Sequence, residues 1–283
     1  MSGSPSSHFG GFKRASNLPS LFVRASTEPL KTRLKNGEKL KGMLLFSASP
    51  TLAEIASLAG YDFVVVDLEH GPADFSAALA CIGATEVCGG KTVIRLPEIS
   101  AACAKKALDL GPDGIMFPKV ETGKAAAEAV SFCSYPPHGV RGCAYTLVRD
   151  SKFGFNKRYL EDYRDNRLIM CQIESEEGVK NVNKIVAVDE MDCVMIGPRD
   201  LSASLGLLHD PGNKKVKSAM RTEEMAVLDS DLVNVGAYLA GMATDYDKAV
   251  NLKACGYHLV LGSADVSLFK KVVVDDIKTF KLL

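Results

Sequence analysis

The chain has 283 residues, 47% of them hydrophobic and 24% charged, with 34 basic side chains balanced by 34 acidic ones. That length suits one large barrel or two ordinary domains, and zero net charge supplies no field that would gather nucleic acid or anionic lipid. No apolar stretch approaches the roughly 18 residues of a spanning helix, so neither nucleic acid nor membrane is an expected partner.

In chain order, the first segment stands apart. No acidic residue precedes Glu28, while serines at 2, 4, 6, 7, 16, 20 and 26 are interspersed with Lys13, Arg14 and Arg24. That is the composition of an organellar transit peptide, for a chloroplast more than a mitochondrion, or of a plain disordered tail in a cytoplasmic protein. Residues 1–30 are read as leader and residues 31–283 as one folded domain.

From about Lys35 onward, short apolar runs alternate with segments of helical period. Strands are predicted at 43–46, 63–67, 92–96, 114–118, 168–174, 193–196, 235–239 and 259–262. Phe63-Val64-Val65-Val66 is apolar on consecutive residues, as in a parallel strand buried on both faces. Helices are predicted between them at 51–58, 75–86, 101–110, 123–133, 176–186, 216–228, 246–255 and 266–280. Eight strands each followed by a helix predict an α/β fold of the (β/α)8 TIM-barrel type in a single domain. Gly60, Gly111 and Gly256 fall where a left-handed helix cap is wanted, and Ser49, Thr122 and Asp265 fall at helix starts. An open doubly wound sheet would bring a glycine-rich loop after strand 1, and Ser47-Ala48-Ser49-Pro50 is not one. The connection at 135–166 is too long for a plain loop and is expected to be functional or to carry extra helix. The eight cysteines form no C-x-x-C pair and read as small buried hydrophobes in a reducing compartment.

In such a barrel the strand ends point into the active-site mouth. The second strand ends Asp67-Leu68-Glu69-His70-Gly71-Pro72, the third in Arg95, the fifth in Gln172-Ile173-Glu174, and the sixth leads into Gly197-Pro198-Arg199-Asp200. Charges are disfavoured in a buried layer unless paired or metal-bound, so their convergence on one rim points to function. Glu174 and Asp200 come from adjacent strands, which run about 5 Å apart. They are hard oxygen donors suited to Mg²⁺ or Mn²⁺, with Co²⁺ as a further candidate. The alternative is that either caps the following helix, as Glu174 beside Ser175 could. Arg95 is read either as a structural partner of Asp67 or Glu69 or as a stabiliser of developing oxyanion charge. His70 is read as a general base or, alternatively, as a satisfied surface histidine, whereas the spacing makes Asp109 an ordinary helix-face charge.

These runs, with Ile94-Arg95-Leu96-Pro97, Pro136-Pro137-His138-Gly139-Val140-Arg141-Gly142 and Ile196-Gly197-Pro198-Arg199-Asp200-Leu201-Ser202, resemble the HpcH/HpaI aldolases. The resemblance runs from about Leu40 to the C-terminus and is most specific in the Glu-His-Gly-Pro and Gly-Pro-x-Asp-Leu-Ser segments. It implies a class II pyruvate aldolase, a metal-dependent carbon–carbon lyase cleaving or forming 4-hydroxy-2-oxo acids through a metal-bound pyruvate enolate. By the same resemblance Glu174 and Asp200 hold the metal, while Gln172, Asp200 and the backbone around Arg199 hold the 2-oxo acid. Arg95 stabilises the enolate, His70 is the base, Asp109 raises its basicity, and Asp67 and Glu69 support from behind. The implied partners are a 2-oxo acid and an aldehyde, in a homo-oligomer with active sites near subunit interfaces. The serine-rich leader and the Asp210–Lys215 insertion look like a plant member. Three departures bear on the acceptor: Arg199 stands where a small residue is usual, Lys119 follows strand 4 where an uncharged residue is usual, and 148–156 differs from bacterial sequences. Competing readings are a CoA-thioester lyase of the citrate-lyase branch, a Schiff-base aldolase using Lys119, and a catalytically silent barrel that binds an oxo acid.

Overall fold

The computed structural model describes residues 28–232, 236–245 and 247–280, so the leader up to residue 27 lies outside the described residues. The eight strands are β1 (Leu40–Leu45), β2 (Phe63–Asp67), β3 (Lys91–Arg95), β4 (Gly114–Phe117), β5 (Leu168–Ile173), β6 (Cys193–Ile196), β7 (Tyr238–Met242) and β8 (Leu259–Ala264). They close in sequence order into a barrel, and β8 pairs in parallel with β1. The expected TIM barrel is therefore present.

Period-two alternation within each strand divides the core into two layers. Phe63, Val65, Val93, Met116, Leu168, Met170 and Met195 pack inside the barrel. Val64, Val66, Ile94, Ile115, Cys171 and Val194 face outward against the helices. In chain order the helices are α1 (Leu30–Lys35), α2 (Pro50–Leu58), α3 (Phe75–Val87), α4 (Ala101–Asp109), α5 (Gly123–Cys133) and α6 (Tyr159–Asn166). They continue with α7 (Glu176–Val186), α8 (Pro198–Ser204), α9 (Lys214–Leu232), α10 (Ala249–Ala254) and α11 (Asp265–Phe280).

Short polar side chains start the helices where the sequence places them. Ser49 accepts from the Leu52 amide, Thr122 from Ala125 and Ser175 from Gly178. Gly60, Gly111 and Gly256 lie at φ +96°, +75° and +98°, the left-handed conformation in which a side chain is strained. Asp265 departs from the simple cap: its carboxylate accepts the Phe46 and Ser47 amides at 2.9 and 3.1 Å and so ties the end of β1 to the start of α11.

Two differences from the sequence reading have physical reasons. Leu30, counted above with the leader, is fully buried with Leu34 among the inward residues of the strands, so α1 closes the barrel floor. Lys31 pairs with Asp192 at 2.7 Å and Arg33 with Asp62 at 2.8 Å, which holds that short helix in place. The seventh strand runs three residues later than 235–239, because an unbroken apolar stretch carries no register of its own. The long connection carries extra helix, as expected: a 3-10 turn at Arg149–Ser151 and then α6. Its organising group is Arg141, whose buried guanidinium reaches Asp109 at 2.8 Å and lies 4.7 Å from the Tyr135 ring centre.

Candidate active site

The last inward positions of the strands carry the polar residues. On β2 the inward series Phe63, Val65 ends in Asp67, and on β3 Val93 is followed by Arg95, which the register sets beside Asp67. On β5 the series Leu168, Met170 continues to Gln172 and then to Glu174, one residue beyond the strand. One alternation thus builds an apolar barrel interior and a polar lid on it.

Arg95 is held on two prongs: Nε donates to Asp67 Oδ1 at 2.9 Å and Nη2 to Oδ2 at 2.6 Å. Asp67 is fully buried, and its Oδ1 also accepts the amides of Glu69 and His70 at 3.0 and 3.3 Å. The Nη1 atom donates to Gln172 Oε1 at 3.3 Å and stands 3.0 Å from Glu69 Oε2, a charge contact without hydrogen-bond alignment. Burial alone would lower the Arg95 pKa, but the Asp67 hydrogen bond and charge outweigh it and leave it raised. Hydrogens on both terminal nitrogens remain for a ligand in the cavity, so Arg95 is both a partner of Asp67 and an available donor.

Glu174 is 7% exposed. Its Oε1 accepts the Lys119 amide at 2.8 Å, and its Oε2 lies 3.4 Å from Gln172 Nε2. A Cβ on Gly197 would stand 2.6 Å from Oε2, so the glycine of Gly197-Pro198 makes room for this carboxylate. Burial, then Glu69, then Asp200 push the Glu174 pKa up to about 7, against opposition from the Lys119 amide and Arg95. Burial likewise raises Glu69, although Arg95 opposes it. Asp67, Glu69 and Glu174 thus lie around the Arg95 guanidinium, and Asp200 adds its negative charge to Glu69 and Glu174. Crowded hard oxygens beside an open cavity fit a divalent cation. Among the described residues no three His, Cys, Asp or Glu side chains form a metal-holding cluster, so a cation here would take Glu174 and Asp200 and complete its shell with water or substrate.

A cavity of about 790 Å³ opens over this layer, lined among others by Asp67, His70, Arg95, Gln172, Glu174, Arg199 and Asp200. Six of the expected site residues, His70, Arg95, Gln172, Glu174, Arg199 and Asp200, thus share one mouth. Asp200 comes from the first turn of α8 and is exposed. Ser175, not Glu174, caps α7, which settles that alternative. His70 is exposed, and its Nε2 lies 3.7 Å from Glu69 Oε1. Asp109 stands apart from these six: it ends α4, which runs from the mouth to the floor, and its carboxylate is engaged by Arg141. Within one chain it does not meet His70. Lys119 is exposed and does not line the cavity; at φ +50° it offers Glu174 its backbone rather than bringing an amine to the mouth.

The opposite wall was legible as a site only at the end of β6, and its β7 and β8 parts were not. Thr244, Asp245, Lys248, Ser263 and Ser267 line it with Arg199. The helix predicted at 246–255 took in Lys248, which instead precedes α10; the signal available was Ala243-Thr244, where apolar character ends.

Residues 41–271 match the HpcH/HpaI aldolase/citrate lyase family. The chain is similar to the 2-keto-3-deoxy-L-rhamnonate aldolase of Shigella dysenteriae serotype 1 (strain Sd197), 32% identical over 255 residues that cover 90% of this chain and 94% of that one. Among solved structures it is similar to an HpcH/HpaI aldolase/citrate lyase family protein from Burkholderia cenocepacia J2315, with TM-score 0.82, 33% identity, and coverage of 89% and 98%. It is also similar to the HpcH/HpaI aldolase of Desulfitobacterium hafniense DCB-2, with TM-score 0.80, 28% identity, and coverage of 90% and 98%. These relatives are bacterial, and nothing in them supports the plant-type reading.

Proposed function

Because the chain belongs to the HpcH/HpaI aldolase/citrate lyase family, we propose that it is a carbon–carbon lyase that cleaves or forms 4-hydroxy-2-oxo acids with pyruvate as one product. The observation that carries this is the buried Glu174 carboxylate, crowded by Glu69 and Asp200 and facing an arginine fixed by Asp67. Glu174 and Asp200 would hold a divalent cation, Mg²⁺, Mn²⁺ or Co²⁺, which when bound supplies Lewis-acid polarisation of the 2-oxo group.

The remaining chemistry falls to side chains. In the cleavage direction the bond between C3 and C4 breaks. The C4 hydroxyl loses its proton and becomes the aldehyde oxygen, and the electron pair enters the 2-oxo unit as an enolate. His70, at the rim of the same cavity, takes that proton. Arg95 keeps donors free for the enolate oxygen and is oriented before substrate arrives, so its charge needs no rearrangement as the reaction proceeds. Protonation at C3 then gives pyruvate. Gln172 spans Arg95 and Glu174 and fixes their spacing.

The test is pyruvate release from a panel of 4-hydroxy-2-oxo acids, with and without EDTA. EDTA is expected to abolish release, and Mg²⁺ or Mn²⁺ to restore it. Activity that survives EDTA, with a borohydride-trapped pyruvate adduct on Lys119, overturns the reading in favour of a Schiff base. The raised Glu174 pKa adds a pH signature. Its folded value, about 7, lies above the ordinary 4.5, so a proton competes with the cation below neutrality. Mn²⁺ affinity measured by calorimetry should fall by about tenfold per pH unit below 7 and level off above it. A flat profile would contradict this.

The reading includes a homo-oligomer. Residues 266–280 of α11 are exposed throughout, with Phe269, Val272 and Phe280 more than 60% exposed. Ile55 and Leu58 on α2 and Val250 on α10, flanking the place an eighth outer helix would fill, are exposed as well. An apolar helix off its own barrel and a bare apolar groove suit a second copy. Asp109 and His70 lie at opposite ends of one barrel, so their implied pairing is retained as a contact between copies. Changing Phe269 and Val272 together to Asp should reduce the sedimenting mass to that of one chain; a monomeric parent protein would refute the assembly.

A further inference from the structure

We propose that Arg199 and Lys248 form an anion-binding subsite for the far end of the substrate, so that the preferred 4-hydroxy-2-oxo acid carries a terminal anionic group, a carboxylate or a phosphate. The proposal rests on the aldolase reading and names its substrate class.

The two cavity walls differ in how their charges are used. On the β2–β5 side, Arg95 is committed to Asp67, Glu69 and Gln172. On the β6–β8 side, Arg199 and Lys248 line the same cavity, and among the described residues neither makes an ion pair or a side-chain hydrogen bond. They stand on neighbouring loops: Arg199 lies in the first turn of α8 after β6, and Lys248 is the residue before α10 after β7. The register sets Ile196 beside Gly241, so the two loops leave the barrel side by side. Asp200 and Asp245 also line this wall, and neither pairs with either cation, so the wall has no net formal charge while both cations lack a protein acceptor. Ser263 and Ser267, both exposed and lining the cavity, add hydroxyl donors.

A volume of about 790 Å³ far exceeds a three-carbon oxo acid. If Arg95 and Glu174 hold the pyruvyl end, the aldehyde-derived end extends toward the opposite wall. An arginine fork and an ammonium with no protein acceptor match a terminal carboxylate or phosphate. A neutral end would gain nothing from either charge.

The experiment uses Mn²⁺-loaded, full-length protein and three 4-hydroxy-2-oxo acids of equal chain length ending in a carboxylate, a phosphate or a hydroxymethyl group. In the parent protein, kcat/KM for one anionic substrate should exceed that for the neutral one by at least about 30-fold, mainly through KM. Arg199→Gln and Lys248→Gln should each collapse that ratio by about tenfold or more, and Arg199→Lys should retain part of it. The larger anionic ratio identifies the terminal group. A parent ratio near one, or a ratio unchanged in both glutamine variants, overturns the proposal. A second arm measures binding of glutarate and of inorganic phosphate by calorimetry, where at least about tenfold weakening is expected in each glutamine variant. If no substrate releases pyruvate, the aldolase reading fails, and this binding arm alone decides whether the subsite exists: unweakened binding, or no binding to the parent protein, overturns it.

Discussion

Replacing Glu174 with glutamine is expected to lower pyruvate release by more than about 10³-fold while making the metal-free protein more stable at pH 8. The activity loss follows from the ligand charge: a neutral amide holds a divalent cation poorly, and Lewis-acid assistance is worth several kcal/mol of barrier. The stability gain follows from the pKa. The folded protein binds the Glu174 proton more tightly than the unfolded chain does, with a pKa of about 7 against an ordinary 4.5. Wild-type stability therefore falls as pH rises from 4.5 to 7, because burial and the neighbouring carboxylates disfavour the ionised form. Glutamine has no such penalty, and its carbonyl can still accept the Lys119 amide. Thermal melts without added metal should thus diverge at pH 8 and converge near pH 5. Substantial turnover in Glu174→Gln, or a variant less stable at both pH values, would remove Glu174 from the role assigned to it.

Arg95→Ala should lose about 10² to 10³ in kcat/KM, the loss typical of removing one oxyanion donor. It should also destabilise the fold, because Asp67 is fully buried and its only ion-pair partner among the described residues is Arg95. Stranding one member of a buried pair costs about 3–5 kcal/mol. The two effects can be separated. In the double variant Asp67→Asn with Arg95→Ala, the uncompensated charge is gone and much of the stability should return, while activity stays low. Arg95→Lys should restore charge without the two-pronged geometry and recover only part of the rate. If the double variant regained activity with its stability, Arg95 would be structural.

The features legible in the sequence were those set by short-range pattern. Phe63-Val64-Val65-Val66 announced a strand buried on both faces, and Asp67, Arg95 and Glu174 stood out as charges ending apolar runs. The rest depended on information that a local pattern does not carry. Leu30 and Leu34 flank charged residues beside a serine-rich leader, and only the finished barrel shows that they close its floor. Asp109 had nothing in its spacing to mark it; the resemblance alone raised it, and in this chain Arg141 occupies its carboxylate. Lys248 looked like a helix residue until Tyr238–Met242 was fixed as the strand, because register in a uniformly apolar run is decided by neighbours far away in sequence.

The closure of β8 onto β1 has a consequence for how the protein is made. Leu40 pairs with Leu259 and Gly42 with Leu261, so the first strand to leave the ribosome waits for the last before either has both its neighbours. Until then a nascent chain exposes the edges of β1 and of its latest strand, and the floor helix α1 has no complete ring to seal. Pairings of such long sequence separation form slowly, and open strand edges invite association with other chains. Translation that stalls before residue 264 therefore yields a fragment with Glu174 and Arg95 already synthesised but no finished mouth to hold them. Chaperone demand should concentrate in the final stretch of synthesis.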